Sequence, residues 1–239
     1  MEENDKLLLI VGHASAGKTR SLKHISNPES VAYFNADAKP TSFKNNFAVD
    51  VRITQPNSLF NYLDECERNK DIKIIIIDTI THLMRTFKIL NIDEASDSRA
   101  GWGKQQAYYN KLMLKLKSSA KSIIVIAHVS DEQDDVTEST VSKIVFQGAI
   151  AKAPISDYTT VLEAKSVKVT KKFIDIKNKL FDINEYEKED GIKYLFVTRR
   201  TKANPITMAR SADDLWERNE LYINNDVQKV IDRLSKYYD

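Results

Sequence analysis

Short apolar runs, each closed by a glycine, an acid or a histidine, alternate along the chain with stretches whose apolar residues recur at helical spacing. Residues 7–11 read LLLIV and meet Gly12, which predicts a short strand buried on both faces of a parallel sheet. A helix is expected to follow over residues 18–25. A second strand is expected at residues 30–37, before a loop containing Pro40. Leu59, Tyr62, Leu63 and Cys66 recur at helical spacing within residues 58–69, with Ser58 as the expected N-cap. Residues 72–83, IKIIIIDTITHL, are the most β-branched part of the chain and show no polar alternation, so they predict a central strand covered on both faces. Tyr108, Leu112 and Leu116, flanked by Tyr109 and Met113, form one apolar stripe of a helix over residues 104–117. A further buried strand is expected at residues 122–129.

This alternation is the signature of an α/β fold: a mostly parallel central sheet flanked by helices. The polar, acidic residues 130–143 read as a loop that starts directly after the strand ending in His128, on the sheet edge where such folds bind ligands. Residues 157–170 and 191–202 read as late strands, an antiparallel extension of the sheet with a charged excursion between them. Val227, Val230, Ile231 and Leu234 predict a C-terminal amphipathic helix. One domain is expected over residues 1–239, with a core at about 6–205 and a helical tail over 206–239.

Composition narrows the picture only a little. Lys and Arg number 36 against 34 Asp and Glu, so no overall field demands nucleic acid, and any such site must be local. The single cysteine, Cys66, excludes an internal disulfide framework and fits a reducing, cytoplasmic setting as a part-buried helical residue. The apolar runs are far shorter than the roughly 20 residues a bilayer requires, and Glu2, Glu3 and Asp5 stand where a signal peptide would be basic. No membrane association is expected.

The chemistry is concentrated at residues 12–19. Gly12, His13, Ala14, Ser15, Ala16, Gly17, Lys18 and Thr19 match G-x-x-x-x-G-K-[ST] in full, between a predicted strand and a predicted helix. Such a loop turns its backbone N–H groups and the helix N-terminus onto phosphates; Lys18 reaches the β- and γ-phosphates, and Thr19 ligates Mg²⁺. Arg20 extends the nucleotide-binding set. Asp78, closing the apolar run IIII, is the acid expected to hold Mg²⁺ through water, so ATP and Mg²⁺ are the expected ligands. Thr79 beside it reads either as a residue orienting water or as a local cap. No glutamate follows Asp78, which leaves Asp37 as the candidate base for the attacking water or, alternatively, as a loop acid bonded to its own backbone. His128 reads as a γ-phosphate sensor or as a satisfied structural histidine.

The order of these motifs, from the phosphate loop through YFNAD, IIIIDTITHL, GWGKQQAYYNKLMLKLK, IIVIAHV and YLFVTRRTK, resembles phage nucleotide-binding proteins of the Sak group. These are core-only relatives of RecA, associated with single-strand annealing and recombination. The resemblance spans roughly residues 7–202. It implies a RecA-like ATPase, with the catalytic base falling on Asp37 and nucleotide sensing on His128, coupled to a DNA-binding loop at residues 130–143. It also implies a homo-oligomer in which Arg199, Arg200 and Lys202 complete a neighbour's site, with a single-strand-binding protein as a further partner.

For single-stranded DNA the residues speak both ways. Arg85, Lys88, Arg99, Trp102 and Lys104 offer cations and a stacking ring, although Trp102 also reads as an aromatic anchoring a loop. Asp131, Glu132, Asp134 and Asp135 would repel phosphate. The resemblance to the Sak group, rather than these residues, makes the expected function an ATPase acting on single-stranded DNA in recombination or annealing. Its rivals are a nucleotide-dependent switch protein that binds no DNA, and a phosphotransferase, for which no arginine-rich lid is visible.

Overall fold

The computed structural model describes residues 4–93, 98–134, 139–152, 155–202 and 204–239. In chain order the strands are β1 Leu7–Gly12, β2 Val31–Asn35, β3 Val49–Arg52, β4 Ile74–Asp78, β5 Ser122–Asp134, β6 Ser139–Ile144, β7 Thr160–Lys168, β8 Ile192–Val197 and β9 Tyr222–Asn224. The helices are α1 Ser58–Arg68, α2 Ile80–Lys88, α3 Ser98–Lys117, α4 Lys171–Ile174, α5 Glu185–Asp190 and α6 Val227–Tyr238. Eight strands form one sheet in the order β3-β2-β4-β5-β1-β7-β8-β9. The run from β3 to β7 is parallel, while β8 is antiparallel to β7 and β9 to β8. The expected mostly parallel sheet with an antiparallel extension is thus present.

Strand alternation divides the core in two. Leu7, Leu9 and Val11 of β1 face one side with Ile75 and Ile77 of β4 and Ile123 and Val125 of β5, against α1, α2 and α3. Leu8 and Ile10 face the other side with Ile74, Ile76, Ile124 and Ile126, against Leu22 and the Val227, Val230 and Leu234 stripe of α6. Both faces are covered, which is why these strands carry no polar alternation. Each such side chain contributes about 1.5–3 kcal/mol by leaving water. The C-terminal segment supplies strand β9 as well as the expected helix, so it joins the sheet.

Five local expectations are corrected. The strand expected over residues 72–83 ends at Asp78. Thr79 caps α2 there, its Oγ1 accepting from the His82 N–H, and Ile80, Leu83, Met84 and Phe87 then bury one helical face. The helix expected at residues 18–25 is a 3-10 helix, Thr19–His24, cut short by the extended Ile25 ahead of Pro28. Ser58 is not the N-cap of α1; Asn57 occupies that position, and the Ser58 hydroxyl donates to the Gln55 carbonyl.

The loop expected at residues 130–143 is the fourth. β5 continues past His128 to Asp134 and pairs with β6 in a hairpin, from Val129 opposite Ile144 to Asp134 opposite Ser139. Its polar residues pair across the strands: Ser142 Oγ donates to Asp131 Oδ1 at 2.6 Å, and Lys143 Nζ lies 3.0 Å from Glu132. Asp135 lies outside the described residues. α3 also begins at Ser98, ahead of the expected Lys104.

Candidate nucleotide site

The phosphate loop leaves β1 at Gly12 and returns at Thr19 over a cleft of about 390 Å³ lined by residues 14–20 together with Asp37, Lys39, Asp78, Thr79, His128 and Tyr194. Gly17 adopts φ +86°, and a Cβ there would stand 2.7 Å from Tyr194 Cδ1, so the tight turn requires a residue without a side chain. A Cβ on Gly12 would meet the Ala164 carbonyl at 2.7 Å, because β7 passes close beside the loop. Lys18 is only 6% exposed, and its Nζ reaches the Gly12 carbonyl at 2.8 Å, the His13 carbonyl at 2.7 Å and His128 Nδ1 at 3.2 Å. Those three acceptors match the three protons of an ammonium. Burial nevertheless pulls Lys18 down to about 8, against the opposing pull of Asp78 and Asp37.

Asp78 is 3% exposed, and its Oδ2 accepts from the Thr19 hydroxyl at 2.7 Å and from the Tyr33 hydroxyl at 2.9 Å. Burial raises its pKa, while the two donors oppose the rise. Burial, reinforced by the Asp78 carboxylate, pushes the Tyr33 hydroxyl well above its usual range. The hydroxyl and carboxylate expected to hold Mg²⁺ are therefore side by side as hard oxygen donors, and the donor set fits that ion.

At the mouth of the cleft stands a cluster built from three elements. Asp37 follows β2, His82 lies in the first turn of α2, and His128 lies on β5 at the level of Gly12. His82 Nε2 is 3.1 Å from Asp37 Oδ1, and its Nδ1 is 2.8 Å from Thr79 Oγ1. The His82 and His128 rings meet edge to face with centroids 5.3 Å apart. Burial, with Lys18 and His82 close by, lowers His128 to about 4, so the ring is neutral at pH 7 and accepts from Lys18. Asp37, His82 and His128 offer donor atoms within 4.8 Å of one another.

A family model described as an AAA domain matches residues 4–209. The chain belongs to that AAA domain family. It is accordingly a phosphate-loop NTPase, in agreement with its loop, its Asp78 and its sheet. A crystal structure of a KaiC-like protein from the hyperthermophilic archaeon Pyrococcus horikoshii OT3 is similar at 13% identity, with a TM-score of 0.47, 85% of this chain and 82% of that one being covered. No curated protein matches the sequence.

Several expected residues of this AAA domain fall outside the cleft. Arg199 donates to the backbone carbonyls of Glu217 and Arg218, and the exposed Arg200 borders a groove near Lys143, Lys165 and residues 204–208. Lys202 is exposed. Arg20, in contrast, stays beside the cleft, 5.2 Å from the Tyr194 ring centre. His13 gains a partner: its Nε2 lies 3.3 Å from Asp131 Oδ2, joining the phosphate loop to the β5–β6 hairpin. Trp102 lies on α3, where a Cβ on Gly148 would strike its ring at 2.1 Å, a contact that favours the anchoring role. Lys88 Nζ lies 5.9 Å from the same ring, Lys104 is exposed on α3, and Arg99 is in the first turn of α3 with its side chain outside the described set. Cys66 is buried on α1, and burial pushes its thiol up to about 11, which leaves it unreactive.

Two site residues escaped sequence reasoning. His82 was hidden by the strand reading of residues 72–83, although the spacing of Ile80, Leu83, Met84 and Phe87 signals a helix that starts at the ligand edge. Tyr33, one position into the alternation of β2, carries no sequence signal for its bond to Asp78. Among the described residues, no helix is long and apolar enough to cross a membrane.

Proposed function

We propose that this chain is a Mg²⁺-dependent ATP hydrolase of the phage Sak type, acting on single-stranded DNA in recombination or annealing. The observation that supports hydrolysis is the meeting of Lys18, the Thr19–Asp78 pair, Asp37 and His128 in one cleft. Thr19 and Asp78 would hold Mg²⁺, which supplies neutralisation of the phosphate charge. Lys18 gives its protons to the β- and γ-phosphate oxygens in place of the loop carbonyls. Asp37 takes the proton of the attacking water as the water oxygen bonds to the γ-phosphorus, and the bond to the leaving diphosphate oxygen breaks. His128, neutral and accepting from Lys18 at Nδ1, carries its proton on Nε2 and would donate to the γ-phosphate from there.

The β5–β6 hairpin is the element placed to report nucleotide state, since it continues the strand of His128 and touches the loop through His13 and Asp131. Its link to single-stranded DNA rests on the resemblance to the Sak group and on the cations Arg85, Lys88 and Lys104 near Trp102. In a homo-oligomer, Arg199, Arg200 and Lys202, which lie outside their own cleft, would serve the neighbouring one. One observation favours the reading without DNA: the hairpin carries Asp131 and Glu132, already engaged by Ser142 and Lys143. ATPase rates with and without single-stranded DNA, together with binding across a salt series, separate the two. DNA that neither stimulates turnover nor binds with a salt-dependent affinity refutes the recombination role. Normal turnover in Lys18→Ala refutes the hydrolase site.

A further inference from the structure

On the hydrolase reading above, we propose that His82 is the positioning residue for Asp37, joined through Thr79 and Thr81 to the backbone of β5 by a chain of polar contacts. His82 Nε2 lies 3.1 Å from Asp37 Oδ1, and a carboxylate can only accept at that contact. His82 Nδ1 lies 2.8 Å from the Thr79 hydroxyl. The Thr79 hydroxyl accepts from the His82 N–H at 3.2 Å and shares a hydrogen bond with the Thr81 hydroxyl at 2.9 Å. Thr81 in turn accepts the His128 N–H at 3.4 Å.

The chain holds one carboxylate oxygen of Asp37 and leaves Oδ2, whose partner among the described residues is the exposed Lys39 at 3.9 Å, to meet a water. It also makes the position of Asp37 depend on the backbone of β5 beside His128, so the same strand touches both the phosphate contact and the base. The donor atoms of Asp37, His82 and His128 also outline a cation site. Two features weigh against that occupant. Both nitrogens of His82 are engaged, and the Lys18 ammonium, 3.2 Å from His128 Nδ1, would face the cation at short range.

The test is steady-state turnover of MgATP by the wild type, His82→Ala and His82→Gln, with ADP affinity measured by calorimetry to verify that each site is intact. His82→Ala should lose roughly 10- to 100-fold in kcat, the scale of an ångström-level misplacement, with KM within about twofold. His82→Gln, whose amide can donate to Asp37 from the Nε2 position, should recover to within about fivefold of wild type. If His82→Ala does not fold, His82→Met, of similar bulk and without a donor, takes its place. Unchanged kcat without the imidazole overturns the relay, as does failure of glutamine to restore turnover when ADP binding is normal. One zinc ion per chain, bound through His82 and raising turnover of chelator-treated protein, overturns it in favour of a metal site. A wild type without turnover removes the hydrolase reading and the relay with it; a wild type that turns over with an indifferent His82 removes the relay alone.

Discussion

Lys18 should take up a proton when nucleotide binds, and the size of the uptake follows from its burial. In the free cleft its pKa is lowered to about 8, so the ammonium is half populated at pH 8 and about one tenth populated at pH 9. Phosphate oxygens within hydrogen-bond reach favour the charged form and return the group to its usual value near 10.4 or above. Binding ADP without Mg²⁺ should therefore absorb about 0.1 proton at pH 7, about 0.5 at pH 8 and about 0.9 at pH 9. The ADP phosphate itself contributes little in this window, because its own pKa lies near 6. The sign is fixed: a lysine depressed in the free protein and restored in the complex gains a proton, so affinity falls by about tenfold per pH unit above 8. The full shift is on the order of 3 kcal/mol, the strain that bound phosphate relieves. Calorimetric titrations at each pH, in buffers of different ionisation enthalpy, read the proton count directly. Equal uptake at pH 7 and pH 9, or none at pH 9, would refute the assignment of a desolvated Lys18 as the phosphate contact.

Gly17→Ala should lower nucleotide affinity by more than tenfold in the same calorimetry, since it combines a strained φ of +86° with a clash on Tyr194. Asp78→Asn should leave Mg²⁺-free ADP binding near wild type and abolish the Mg²⁺ dependence of turnover, read from a Mg²⁺ titration. Leu112→Ala, at a fully buried position of α3, should cost about 2–5 kcal/mol in urea unfolding without changing KM.

The parts of this molecule that could be read from the chain are those where one local rule governs. Residues 7–19 announce strand, turn and phosphate loop because burial on both faces excludes polar residues and the turn demands glycine. Asp78 could be paired with them because an acid ending an apolar run has few other uses. The segment after it reads as more strand because Ile80 continues the β-branched run; the cap at Thr79 and the spacing of Ile80, Leu83, Met84 and Phe87 decide for the helix that carries His82. The hairpin was hidden for the opposite reason. Its acids resemble a loop in composition, but Asp131 accepts from Ser142 and Glu132 pairs with Lys143 on a partner strand that local pattern does not specify. Contacts such as Tyr33 to Asp78 and His13 to Asp131 join residues 45 and 118 positions apart, beyond any local rule.

The unbroken run of β5 through His128 gives the molecule a mechanical advantage. At roughly 3.3 Å per residue, the six residues from His128 to Asp134 carry the hairpin about 20 Å beyond the nucleotide edge. A tilt of about 5° where His128 meets the phosphate end would swing the far end by about 2 Å. With the phosphate loop held to the arm through His13 and Asp131, the fulcrum lies at the cleft itself. A sub-ångström change at the cleft end of β5 would thus become a displacement of ångström size at the far end of the hairpin.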